Sequence, residues 1–325
     1  MLMEPIIAPI PTELIEQELT KERLLRHTNK AGNDIYVVTA QNAPNTMREI
    51  GRLRELSFRS AGGGTGKACD IDEFDTMDPP CQQLLVWNPE KREIIGAYRF
   101  ICGWDVKVSN SVPRIATGHM FKFSNKFIDE VLPTTIELGR SFVRPEYQST
   151  RAGVRAIFAL DNLWDGLGAL TIVYPKVQYM FGKMTMYPSY DRDCRDLLLC
   201  FLDMYFKDDE DLVVPIEPLP NTNHTDPELQ GYFTGDNFRE DHKRLSNFIR
   251  QHGITIPPLV NAYMSLSPKM KMLGTAINKN FGNVEESGIL IKLDEIAEEK
   301  KMRHVDTYRD YLEQVARELE NEDSL

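Results

Sequence analysis

The order of elements predicts an α/β chain, a sheet flanked by helices with a largely helical C-terminal elaboration. Three observations carry this. Residues 134–143 (TTIELGRSFV) are rich in β-formers and end at Arg144-Pro145, as a buried strand would. Residues 151–167 carry Val154, Ile157, Phe158, Leu160, Leu163, Trp164 and Leu167 near a 3.6-residue period, which predicts a helix fed directly by that strand. A hairpin before this unit and a further strand–helix pair after it continue the alternation.

Taken in order, residues 1–20 hold Pro5, Pro9 and Pro11 and then a short helical pattern, the signature of an arm packed on the body. Its polar face is too acidic for a membrane-surface helix. Residues 34–40 (DIYVVTA) predict a first strand, and residues 45–59 a helix with Met47, Ile50, Leu53, Leu56 and Phe58 on its pattern. The run AGGGTGKA that follows has the glycines and lysine of a phosphate loop. Ala68 stands where a hydroxyl must hold the metal, however, and a helix precedes it, so a mobile loop over a cleft is the expectation. Residues 70–75 (DIDEFD) read as a solvated acidic turn. Residues 82–87 and 93–102 form the hairpin, with Arg99 in its second strand, where it requires a carboxylate or an anionic ligand. A short helix is expected at 123–130, a strand at 177–186 and a helix at 189–206 opened by Asp191. Then come a loop at 215–235, helices at 238–252 and 257–265, a last strand at 288–293 and an acidic helical tail. The corresponding division is an N-terminal arm (1–33), a core (34–215) and a C-terminal elaboration packed on the core (216–325).

The totals exclude several classes. With 42% apolar and 27% charged residues the 325-residue chain is ordinary globular protein, and its net charge of −11 argues against nucleic-acid binding. Its apolar runs, such as 197–202, are far too short to span a bilayer, and its first 25 residues carry no secretory signal. Five cysteines without metal-type or redox-type spacing read as reduced thiols of a cytoplasmic protein. Neither Cys102 nor Cys194 has a base partner legible in the sequence.

The strand–loop–helix unit is the candidate site. A strand running into a helix start offers free N–H groups to a phosphate, and Ser149, Thr150 and Gly153 sit where such a start wants a cap and open backbone. Glu137 and Arg140 would face opposite sides of the sheet under strict alternation. A bulge at Gly139 would bring both onto one face.

Four motifs then stand in order: Arg54-x-x-x-Phe58, Asp72-x-x-Asp75, Gly96-Ala-Tyr-Arg99 and Glu137-Leu-Gly-Arg140. Together they resemble the GNAT acyltransferase superfamily. Within it they are similar to the branch shared by acyl-homoserine-lactone synthases and the bacterial amino-acid N-acyltransferases that make ornithine and glycine lipids, a branch also labelled hemolysin. ELGRSFVRPEY is the most specific piece, and GITIPPLVNAY and GILIKLDEI resemble the lipid-forming members. The resemblance covers residues 35–300 and implies a GNAT-like mixed central sheet. It also implies transfer of a 3-hydroxy fatty acyl group from an acyl carrier protein, or from coenzyme A, to the α-amine of glycine or ornithine, the first step of aminolipid synthesis.

The implied roles follow the chemistry. Glu137, with Arg140, would be catalytic, Glu137 taking the proton an ammonium must lose. N–H groups near Ser141 to Val143 would stabilise the thioester oxyanion. Gln148, Arg151 and Gly153 would hold the donor's phosphate. Arg54, Arg99 and Arg140 would bind the acceptor carboxylate or fix Asp72, Asp75 and Glu137, with Phe58 beside the substrate. The plain alternative for these charged residues is a buried ion-pair network that orders the fold. No metal and no tightly bound cofactor is implied beyond the acyl-phosphopantetheine donor. The implied partners are an acidic carrier protein, met by Arg144, Arg151 and Arg155 with Lys122 and Lys126 nearby, and the amino acid, with loose contact to the inner membrane face. Arg151 in place of the middle glycine of the usual Q/R-x-x-G-x-G/A loop suits a carrier-protein donor. The tryptophan that lactone synthases carry after the first helix is absent, which argues against a lactone product. A lactone synthase and a non-catalytic acyl-binding or hemolysin-like protein remain the alternative readings.

Overall fold

The computed structural model describes residues 3–148, 154–219 and 231–322. The chain opens with α1 (Thr12–Glu18), β1 (Leu24–His27), β2 (Asp34–Val38), α2 (Pro44–Ser60) and a single turn, α3 (Glu73–Thr76). The hairpin β3 (Gln82–Asn88) and β4 (Glu93–Cys102) follows, and then the short strands β5 (Val108–Ser109), β6 (Val112–Pro113) and β7 (Phe121–Phe123). Next comes the central unit, β8 (Thr135–Val143), α4 (Val154–Val173) and β9 (Tyr179–Met186). The remainder is α5 (Arg192–Phe206), β10 (Val213–Pro215), α6 (Phe238–Gln251), α7 (Pro258–Leu266), β11 (Lys271–Asn278), β12 (Val284–Lys292), α8 (Glu298–Lys301) and α9 (Thr307–Glu322).

Eight strands form one mixed sheet in the order β1-β2-β3-β4-β8-β9-β12-β11. Every neighbouring pair is antiparallel except β8 with β9, which run parallel because α4 carries the chain back across the sheet. On one face Leu163 and Trp164 of α4 pack with Phe100, Leu138, Met184 and Ile289. On the other, Ile50, Leu53 and Phe58 of α2 pack on Leu85, Ala97 and Phe142. A third cluster around Phe121, Phe127 and Phe181 fills that second face beneath the 103–134 segment.

Two irregularities shape the centre. The pairing of β8 with β9 stops at Glu137 opposite Phe181, so the two strands part beyond it. On its other edge β8 slips register, with Phe142 opposite Ala97 and Gly139 opposite Arg99. Arg140 and Ser141 therefore stand against the single residue Tyr98, and Arg140 adopts φ +47°. The bulge falls one residue beyond the expected Gly139 and has the expected effect: past it, Phe142 lies on the Glu137 face, and Arg140 reaches the carboxylates of that face.

Several expectations need correcting. The glycine-rich run is tied down. The Glu55 carboxylate accepts hydrogen bonds from Thr65 N (3.1 Å), Thr65 Oγ1 (2.9 Å) and Gly66 N (2.6 Å), and Arg59 donates to the Lys67 carbonyl. An internal carboxylate thus occupies N–H groups that a phosphate loop would offer to its ligand. Residues 70–75 are not a solvated turn, since Asp70 and Asp75 are buried. The helix expected at 123–130 is a π turn, Phe127–Val131. β1 and β11 escaped the strand pattern. β11 contains Gly274 at φ +84° and a register break between Met272 and Thr275, which disrupt alternation. β11 and β12, from beyond residue 215, complete the sheet.

The C-terminal segment docks on α4 at Gly168, where a Cβ would stand 2.3 Å from the His304 carbonyl oxygen. His304 Nδ1 lies 2.8 Å from Asp165 Oδ1, which also accepts from Asn29 Nδ2 at 2.8 Å. Alanine normally stabilises a helix by about 1 kcal/mol over glycine. Gly168→Ala should nevertheless lower stability, by about 1–3 kcal/mol, because backbone on both sides cannot yield. Denaturant unfolding with hydrogen exchange over residues 302–317 would check this. The expected result is a lower midpoint with protection lost first in that segment.

Candidate active site

The spacing Asp72-x-x-Asp75 is a capping box. Asp72 Oδ1 accepts from Phe74 N (2.9 Å), and Asp75 Oδ2 accepts from Asp72 N (3.1 Å). That single turn fixes two carboxylates toward three arginines. Arg54 of α2 meets Asp75 at 3.1 Å, Arg99 of β4 meets Asp72 at 2.7 Å and Asp75 at 3.3 Å, and Arg140 of the bulge meets Asp70 at 2.8 Å and Asp72 at 3.5 Å. Gln83 joins them by accepting from Arg54 and donating to Asp75. Burial pushes the Asp75 carboxyl up, but Arg54 and Arg99 outweigh this and hold it well below the usual carboxylate range. The same acids raise Arg99 above its ordinary value in spite of burial.

Where β8 and β9 part, a cavity of about 1070 Å³ passes through the sheet. On the α4 face its walls are apolar, including Trp164, Leu167, Tyr263, Leu266, Ile291 and Ile296. On the α2 face they are Ser57, Phe58, Arg140, Lys183, Tyr187, Phe281 and Glu286. Val143, Tyr147 and Gln148, ahead of α4, also border it. β8 lacks a strand partner on its β9 side past Glu137, so that edge is open toward the cavity.

Of the buried glutamates Glu137 and Glu286, Glu286 borders this opening and Glu137 does not. Glu137 is 1% exposed and does not line the cavity; its nearest hydrogen-bond partner is Thr117 Oγ1 at 3.5 Å. Burial pushes its carboxyl above the usual range against the opposing charges of Arg99 and Lys183. Glu286 lines the cavity. It accepts from Lys183 Nζ, from Asn278 Nδ2 (2.8 Å) and from Thr185 Oγ1 (3.2 Å). Burial raises its carboxyl, but Lys183, Asn278 and Arg140 prevail and hold it below its ordinary value.

The structure thus sorts the sequence-derived residues. Phe58, Arg140, Ser141, Val143 and Gln148 border the cavity, while Arg54, Asp72, Asp75, Arg99 and Glu137 do not. Arg151 and Gly153 lie outside the described residues. Lys126 pairs with Glu210, and Arg144 pairs with Glu93. Burial drives the Cys102 and Cys194 thiols up to about 12, so neither is a thiolate nucleophile at neutral pH. Sequence reasoning missed Lys183 and Glu286. The available signal was a lone lysine inside the apolar strand VQYMFGKMTM, an anomaly of the same kind as Arg99.

Comparison with known proteins defines the class. The Acetyltransferase (GNAT) domain family matches residues 53–157, from α2 into the start of α4. Mixed sheet, parted parallel strands and family match make this chain a GNAT acyltransferase. It is 61% identical over 307 residues to a glycine N(alpha)-acyltransferase of Bacteroides thetaiotaomicron, covering 94% of this chain and 91% of that protein. It is 57% identical over 308 residues to the protein of the same name from Phocaeicola vulgatus, covering 94% of each. The chain belongs to this family of amino-acid N-acyltransferases. Among solved structures, the acyl-homoserine-lactone synthase LasI matches with a TM-score of 0.29 and 11% identity, covering 48% of this chain and 74% of that one. The coenzyme A-dependent synthase BjaI matches with a TM-score of 0.33 and 13% identity, covering 81% and 85%. Likeness at that level carries no inference. No helix among the described residues is long and apolar enough to cross a membrane.

The buried network sets an acid limit on the fold. Because the Asp75 pKa is depressed in the folded state, its contribution is present above the unfolded value of about 3.9 and is lost as pH falls toward the folded value. Removing the charge by Asp75→Asn leaves Arg54 and Arg99 short of an anion inside the protein. The expected cost is about 3–5 kcal/mol at neutral pH, with a shallower loss of stability below pH 4 than in the wild type. Urea unfolding across pH 2–7 would check both.

Proposed function

We propose that this protein transfers a fatty acyl group from a phosphopantetheine thioester to the α-amine of glycine, releasing an N-acylglycine lipid and a free thiol. The observation that carries this reading is the cavity through the parted strands, apolar at one end and bearing paired opposite charges at the other. The apolar end suits a long acyl chain, and its roof comes from α7 and the 296–305 segment. The thioester would lie along the open edge of β8. N–H groups near Ser141 to Val143 would meet its carbonyl oxygen as negative charge develops there. The phosphate would sit beyond Gln148, ahead of α4. Arginine at 151 supports a carrier protein over free coenzyme A as donor.

Glycine is favoured over ornithine by the walls of the charged end. Phe58, Phe281 and Tyr187 close it, and among the described residues Glu286 is its single carboxylate. Ornithine brings a second ammonium that would need a further acid. Arg140, with its guanidinium carbon 4.6 Å from the Phe281 ring centroid, serves the acceptor's carboxylate or the thioester oxygen. Glu137, sealed from the cavity, acts in this reading by positioning Arg99 and Lys183. The names of the relatives support the same acceptor.

The test is purified protein given a 3-hydroxyacyl carrier protein, or the matching acyl-coenzyme A, with glycine, alanine or ornithine. Thiol release and product mass are followed. Glycine should give N-acylglycine at a rate at least tenfold above the other two, and Arg140→Ala should reduce it by about 10²-fold or more. Product with ornithine alone, or no thiol release with any amino acid, would overturn the proposal.

A further inference from the structure

We infer that the Lys183–Glu286 pair, walled by Tyr187 and Phe281, is the acceptor subsite, in which Lys183 binds the amino acid's carboxylate and Glu286 receives its amine proton. This rests on the glycine-acylation reading and names the groups that carry it out.

Geometry argues for the pair. Lys183 lies opposite Gly288, and Thr185 opposite Glu286, on adjacent strands β9 and β12. Lys183 and Glu286 are therefore diagonal neighbours on one face. Both side chains are buried, at 9% and 2% exposure, yet both border the cavity. A buried ion pair contributes little to stability compared with apolar residues of the same shape. One that lines a cavity is the complement of a zwitterion. An amino acid can replace each partner with its own opposite charge, so no net charge is desolvated.

A second, independent observation points to a ligand at the same end. Ser57 is 2% exposed and lines the cavity, and its hydroxyl has no hydrogen-bond partner among the described residues. A buried hydroxyl left unpaired costs about 1–3 kcal/mol, and a polar acceptor molecule would supply the missing partner.

The glycine-rich run acquires a purpose here. A Cβ on Gly63 would stand 3.0 Å from the Tyr187 ring, and a Cβ on Gly282, at φ +78°, would stand 3.0 Å from Gly63. The loop held by Glu55 is packed between the β11–β12 turn and Tyr187. It braces the aromatic wall that limits the subsite.

The step balances as follows. Glycine's carboxylate takes Lys183, and its ammonium takes the place of Lys183 on Glu286. Freed of its lysine, Glu286 becomes a stronger base and accepts one proton. The amine nitrogen attacks the thioester carbonyl carbon, the N–C bond forms and the C–S bond breaks. The nitrogen's second proton goes to the departing thiolate, and Glu286 passes its own to water.

The experiment is steady-state kinetics on Glu286→Gln, Lys183→Met and Tyr187→Ala, each checked for an unchanged melting profile. Glu286→Gln should lower kcat for glycine by about 10²–10⁴-fold. It should lose far less with hydroxylamine, whose amine is already unprotonated at neutral pH, and Glu286→Asp should recover part of the rate. Lys183→Met should raise the KM for glycine by about tenfold or more, the loss of one charge-assisted hydrogen bond, while leaving kcat much less affected. Tyr187→Ala should admit alanine or serine. A wild type that makes no N-acylglycine would sink the underlying function and this assignment with it. If the wild type is active, three results would overturn the subsite alone: full glycine turnover by folded Glu286→Gln, equal losses with hydroxylamine, or an unaltered acceptor range in Tyr187→Ala. If Glu286→Gln fails to fold, Lys183→Met and Tyr187→Ala decide the matter by the same readings.

Discussion

The parting of β8 and β9 is the constraint on which the rest of the structure depends. A parallel pair that stayed in register to its end would close the sheet and leave no passage between its faces. Pairing stops at Glu137 opposite Phe181, and the bulge at Arg140 and Ser141 turns the remainder of β8 away on its other edge. The cost is an open backbone edge and a non-glycine residue at positive φ. Buried ion pairs around Arg140 offset it.

That network explains why acids and arginines recur at fixed spacings along the first half of the chain. Arg54 comes from a helix, Asp72 and Asp75 from a one-turn cap, Arg99 from the neighbouring strand, and Arg140 from the bulge. None of these segments could be displaced without leaving a charge unpaired in the interior, a loss of several kcal/mol. Its worth therefore lies in fixing where the bulge sits, more than in net stability. The expectation that such residues form a buried scaffold and the expectation that they serve the site are compatible here, since the scaffold aims Arg140 into the cavity.

Much of this was legible beforehand. The strand–loop–helix unit, the hairpin, the need for a carboxylate beside Arg99 and the bulge near Gly139 each follow from local rules of alternation, burial and charge. What escaped was non-local. Glu286 precedes the apolar run of β12 and reads as loop, and its meaning depends on Lys183, 103 residues earlier. The glycine run showed its freedom in the sequence but not its tether, because Glu55 lies a turn back on α2 and reveals nothing of where its carboxylate points. Glu137 is buried beside the network and is not among the residues that border the cavity, a placement that strand alternation alone does not reveal.

The walls of the cavity run from Ser57 to Val305, and the sheet is finished by its latest strands. A ribosome that has delivered residues 53–157 has already released the whole stretch that matches the GNAT domain family. The growing chain still lacks β9, β12 and the roof over the apolar end. A half-made enzyme therefore has no complete cavity. The order of the strands thus makes the cavity one of the last features that synthesis completes.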